Sequence, residues 1–324
     1  MRKIVAITLV LLVVGTSSIA EAAKTFEKVG TRGAQFLKIG VGARAIAMGE
    51  AFVPIADDAS ALYWNPAGIV NIEGSEIMFH HSTWPAGLAH DFLGYVSSDP
   101  RFPGVFGASF TAFTMDPMNV TDSTHPEGTG ETFDAGSMAI GLSYARRLTD
   151  RFSTGVTVKF LHPGLEDEKA ESFLFDIGTL YDTGYRGILV GMSIQHAGRS
   201  MHFIEQEFPM PVTFKAGVAM KPYQTPTSEL LTSFEFNHPP DADERINLGG
   251  EYVLKQFEPR LRLALRGGYR LNRDEESYAF GFGTRFPFVP MGLAQRSSIA
   301  NVDYAYSDMG VLGGTHKITV GLSF

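Results

Sequence analysis

The chain has 324 residues, 44% hydrophobic and 19% charged, with 35 glycines, 25 phenylalanines and no cysteine. The apolar fraction excludes a disordered chain, and the missing cysteine excludes a disulfide scaffold, a thiolate metal site and a cysteine nucleophile. A net charge of −8 leaves no basic surplus to neutralise phosphates, so nucleic acid is not an expected partner.

Residues 1–22 read as a secretory signal peptide. Arg2 and Lys3 form the charged start, Ile4 to Val14 the apolar run, and Ala20-Glu21-Ala22 a small-x-small cleavage site. The apolar run is shorter than the ~20 residues of a spanning helix, and no later stretch is long enough to be one. An exported chain of this kind crosses a membrane only with strands.

Residues 23–73 are rich in Gly and Ala and carry one helical candidate. Asp57 or Asp58 can cap it, Ala59 to Tyr63 can form it, and Asn65-Pro66 ends it, because a residue before proline is pushed out of the α region.

From residue 74 onward the sequence repeats an alternation of period two, the signature of strands. In 152–160, Phe152, Thr154, Val156, Val158 and Phe160 share one face, and Ser153, Gly155, Thr157 and Lys159 the other. Segments of this type lie near 75–82, 90–98, 103–114, 134–148, 151–162, 171–182, 186–196, 210–221, 228–237, 244–255, 259–271, 277–286, 298–307 and 313–324. About fourteen is an even number, as a closed bacterial barrel requires.

Alternation alone fits both a soluble barrel and an outer-membrane barrel, which differ in the face turned inward. The signal peptide, the strand length and the aromatics at segment ends, such as Tyr95, Tyr144, Tyr181 and Tyr269, point to the membrane. On that reading Lys159, Asp176, Lys215, Glu235, Glu251, Arg262, Arg266, Arg270, Arg285, Asp303 and Lys317 face the lumen. Arg44 is expected to pair with Asp57 or Asp58. Connections 115–132, 163–170 and 197–209 read as long outer loops, the first rich in Met and Pro and suited to binding. Thr149-Asp150, 98–101 and 182–184 read as short periplasmic turns. The last strand alternates to a terminal Phe324, which looks like the signal read by the barrel-assembly machinery.

Little in the chain suggests catalysis. His80 and His81 are adjacent on a strand and point to opposite faces, so with His90 they make a poor metal site. No Gly-x-Ser-x-Gly elbow is present, and Gly281-x-Gly283 lies inside a strand instead of opening a helix. A His/Ser/Asp set drawn from distant strands would leave no local motif. No cofactor and no metal are expected.

Two stretches carry a resemblance. Gly42-Ala43-Arg44-Ala45-Ile46-Ala47-Met48-Gly49 is followed by Ala56-Asp57-Asp58-Ala59-Ser60-Ala61-Leu62-Tyr63-Trp64-Asn65-Pro66-Ala67-Gly68. Together they closely resemble the PorV/PorQ branch of the FadL-like outer-membrane proteins. Glu50 departs from that pattern, where a small residue such as Gly is expected. The resemblance implies an all-β transmembrane barrel (74–324) behind a signal peptide (1–22), its lumen filled by an N-terminal hatch (23–73) with the Asn65-Pro66 turn near the periplasmic mouth. It implies either of two functions. The first is an interaction or shuttle role for exported protein cargo with type IX secretion components. The second is FadL-like passive transport of fatty acids or other hydrophobic small molecules. Outer-membrane lipid is a partner under both.

Overall fold

The computed structural model describes residues 31–165, 168–169, 171–203, 206–255, 261–273, 276–288 and 298–324. The signal-peptide reading over 1–22, and residues 23–30 of the N-terminal segment, lie outside them.

Every alternating segment becomes a strand. In chain order the barrel strands are β1 (Ser75–Trp84), β2 (Leu88–Ser97), β3 (Val105–Met115), β4 (Ala135–Thr149), β5 (Phe152–Leu165), β6 (Ser172–Asp182) and β7 (Leu189–Gly198). They continue as β8 (Thr213–Gln224), β9 (Ser228–His238), β10 (Arg245–Leu254), β11 (Arg262–Leu271), β12 (Tyr278–Phe288), β13 (Ser298–Asp308) and β14 (Gly314–Ser323). Each pairs antiparallel with its chain neighbour. β14 returns to β1, in register from Glu76 opposite Ser323 to Ser82 opposite Lys317. Closure leaves no free edge to aggregate.

Burial settles which face is which. Along β6, Phe173, Phe175 and Ile177 are 60%, 51% and 51% exposed, whereas Leu174 and Asp176 are fully buried. Large apolar side chains point out all round the wall, and polar ones point in, the reverse of a soluble barrel. This is an outer-membrane barrel.

β1 begins and β14 finishes at one end, the periplasmic end of a barrel with an even strand number. At the opposite, outer end the described residues of the long connections include short ladders. β5 runs on to Leu165, and Gly164 and Leu165 pair with Lys169 and Glu168, so most of the expected loop 163–170 is hairpin. Met201–Phe203 pairs with Gln206–Phe208, and Met118–Asn119 with Thr132–Phe133. Backbone groups in these connections thus find partners in short ladders.

The N-terminal segment holds more helix than the sequence suggests. A five-residue α1 (Ala43–Ala47) precedes α2 (Ala61–Trp64), and 3-10 turns lie at Gln35–Lys38 and Pro66–Asn71. α2 starts two residues later than expected. Ser60 stands at its N-cap, and the Asp58 carboxylate accepts from the Ser60 backbone N–H and hydroxyl in the turn before it. The end falls where Asn65-Pro66 puts it: Asn65 is extended, and its side-chain oxygen accepts from the Ala67 N–H to start the following 3-10 turn.

Candidate functional site

Residues 33–74 traverse the lumen from end to end. The Gly33 N–H donates to Pro209 in the outer β7–β8 connection, while the Gly74 carbonyl accepts from Ser98 at the periplasmic end. Phe52, Trp64, Met48 and Leu62 of this segment are fully buried.

A fourteen-stranded barrel is too wide to fill with wall side chains alone, yet a folded segment needs space. The wall supplies it with inward glycines. Gly155 and Gly178 back the Asn65-Pro66 turn, Gly191 and Gly217 back Pro54, and Gly249, Gly268 and Gly281 back residues 47–49. A Cβ on Gly191 would stand 2.6 Å from the Val53 carbonyl oxygen, and one on Gly217 3.0 Å from the Pro54 ring. A large part of the chain's glycine surplus thus serves close approach. The alternation placed Gly155 on the face of Ser153 and Lys159 but gave it no role, because its partner Pro66 lies far away in the chain.

Charge fixes the segment to the wall. Arg44, on α1, reaches Glu251 of β10 with two nitrogens, at 2.9 and 3.0 Å. Its remaining nitrogen reaches Asp57 at 2.5 Å and Asp58 at 3.2 Å. Glu251 also meets Arg266, its cross-strand partner on β11, at 2.6 Å, and Arg266 meets Asp303 at 2.6 Å. The result is one alternating chain of charge from the segment across the wall. On β9, Glu235 accepts the backbone N–H groups of Phe52 and Val53 at 3.0 and 2.9 Å. Lys215 lies 4.5 Å over the Trp64 ring, a cation–π contact. Lys159 pairs with Asp176, which also accepts the His196 N–H. Asn65 donates to the Val53 and Thr179 carbonyls, both at 3.0 Å. The Ala43 N–H at the start of α1 donates to Thr319 of β14.

A second anchor lies toward the outer end. Glu50 adopts φ +64, the left-handed region that favours glycine. Its side chain is held by Arg273 and lies 3.5 Å from Arg270, while Glu276 bridges the same two arginines. Burial opposes ionisation of Glu50, but Arg273 and Arg270 outweigh it and hold the carboxyl at about 2. The departure from the small residue expected at position 50 is therefore matched by an ion network that glycine could not make. Lys38 adds a bond to Asp241 at 2.9 Å.

Other singled-out residues lie apart from this network. Gly42 opens α1 at φ +84, and Gly49 closes it at φ +63. Arg262 and Arg285 face inward but are exposed at the periplasmic end of the lumen. Lys317 is buried and donates to Thr315. Backbone bonds tie Phe324 to Ser75, both at 2.8 Å, while its ring remains exposed. His80 and His90 point inward with ring centres 6.5 Å apart, whereas His81 points out and meets Asp91 at 2.7 Å.

The arrangement is a lumen packed with a folded segment, with an open cavity of about 680 Å³ below it at the periplasmic mouth. Comparison with known proteins agrees with this architecture. A family model described as type IX secretion system protein PorV matches residues 22–187. Among solved structures, the chain is similar to the Pseudomonas putida toluene transporter TodX, at 11% identity and TM-score 0.60, covering 88% of this chain and 97% of that one. It is also similar to the Ralstonia pickettii toluene transporter TbuX, at 10% identity and TM-score 0.56, covering 87% and 97%. At these identities the likeness is one of fold. No curated protein sequence matches the chain.

Proposed function

The chain belongs to the PorV family of type IX secretion system proteins, and on that premise we propose that it is a non-catalytic barrel that receives exported protein cargo at its outer face. The observation that carries this reading is the filled lumen. A passage for hydrophobic molecules needs an apolar path, whereas here Arg44, Glu251, Arg266 and Asp303 cross the interior as paired charges beside the buried segment. The outer end, by contrast, presents apolar side chains to solvent. Met118 and Phe133 are exposed on the short ladder of the β3–β4 connection, and Val311 and Leu312 on the β13–β14 turn. Exposed apolar groups of this kind suit binding to another protein.

A second reading has one observation in its favour. Phe36 and Leu37 fill an apolar cluster with Leu161, Leu174, Met201 and Met210 near the outer mouth. If they withdrew, a hydrophobic small molecule could take their place, as in FadL-like transport. Purification from outer membranes in mild detergent, with mass spectrometry of co-purifying material, separates the two. Stoichiometric secreted proteins or secretion components support the cargo reading. A bound lipid or fatty acid with no protein partner overturns it in favour of transport.

A further inference from the structure

The geometry points to an oxyanion-binding site at the periplasmic mouth of the lumen, where we propose that Arg262 and Arg285 together hold a carboxylate or phosphate group. The two arginines are direct cross-strand partners on β11 and β12 and face inward. Such partners have Cβ atoms only about 5 Å apart, and like charges placed so repel. Both side chains line a cavity of about 200 Å³. A single water needs only about 10–15 Å³ of such space, so a small anion with part of its hydration fits.

Most of the other charges of this cavity are paired with one another. Asp57, Asp58 and Glu251 are taken by Arg44, and Glu251 and Asp303 by Arg266. Glu229 lies between Lys221 at 3.4 Å and Lys255 at 2.5 Å. Glu76 lines the same cavity and accepts from the Ala59 N–H at 2.8 Å and the Ser323 hydroxyl at 3.1 Å; it attracts Arg285 only from beyond ion-pair distance. Among the described residues no carboxylate lies within ion-pair distance of either Arg262 or Arg285. Two planar guanidinium groups with free donors match the paired oxygens of a carboxylate or phosphate. Both side chains face the lumen and the cavity lies at its periplasmic end, so the anion is one taken from periplasmic solution.

The test uses the whole barrel in a zwitterionic detergent. Thermal unfolding is followed while sodium phosphate or sodium acetate replaces sodium chloride at constant ionic strength. The wild-type midpoint rises with phosphate or acetate, and the R262Q/R285Q variant loses at least ten-fold in apparent affinity. Arg262→Glu gives a second, independent arm. It places a carboxylate opposite Arg285, raises the midpoint without added anion and removes the anion response. A wild-type protein that responds to these anions no more than to chloride overturns the proposal. So does an R262E protein whose midpoint and response both match the wild type.

Discussion

Arg44 and Glu251 lie 207 positions apart and meet through two hydrogen bonds, at 2.9 and 3.0 Å, inside the barrel. The pair joins the N-terminal segment to the wall. Arg44→Ala leaves Glu251, whose side chain is 5% exposed, with one cation fewer. Loss of one member of a buried pair costs ~3–5 kcal/mol. The expected outcome is a lower denaturant midpoint in detergent, with a loss smaller than that range because Arg266 still meets Glu251. A double-mutant cycle with Glu251→Gln isolates the coupling, and additive losses would show that the two side chains do not interact.

The glycine wall makes a steric prediction. Gly191→Leu places a side chain against the backbone of Val53 and Pro54. The barrel strands should still form, since outward alternation is untouched, while the segment is displaced. Limited trypsin digestion reads this directly: cleavage at Arg44, slow in the wild type, becomes fast, and heat-modifiable migration of the barrel is retained. Unchanged protection of Arg44 would contradict the fit.

Glu50 predicts a pH dependence of defined sign. Its carboxyl is lowered from 4.5 to about 2, so the folded state favours the ionised form. That stability is fully present above about 4.5 and is lost as pH falls from there toward 2. The difference in melting midpoint between wild type and Glu50→Gln should therefore shrink steadily over that window. A difference independent of pH would remove Glu50 from the account.

The left-handed backbone at position 50 supplies a further comparison. Glu50→Ala loses the contacts to Arg270 and Arg273 and keeps the strain, whereas Glu50→Gly loses the same contacts and relieves it. Glu50→Gly should be the more stable of the two by ~1 kcal/mol or more, read from denaturant midpoints.

The outer apolar groups test the cargo reading. Val311→Asp with Leu312→Asp alters a turn whose side chains are 89% and 56% exposed, so barrel stability should change by no more than ~0.5 kcal/mol for each residue. Co-purification of protein partners should fall several-fold. Full retention would place the binding surface elsewhere.

The strands were legible because each alternation is local: Phe173, Phe175 and Ile177 against Leu174 and Asp176 can be read without knowing any partner. Asn65-Pro66 ended α2 as expected, because proline acts on its immediate neighbour. α1 was not legible. Five residues are too few for a helical period, and its first N–H is satisfied by Thr319, far away in the chain. The start of α2 shifted because Asp58, a reasonable cap by type, is engaged with Ser60 and Arg44.

The strand count, the alternation of faces and the motif of the N-terminal segment were readable along the chain, since these are periods and short-range patterns. The tertiary structure decided the direction of the alternation, because only closure shows which face surrounds the lumen. It also decided which charges are spent and which are left over. Arg266 and Arg262 look alike in sequence, four residues apart on one face of β11. Glu251 on the adjacent β10 and Asp303 on β13, beyond β12, neutralise the first, while the second faces Arg285 across the register.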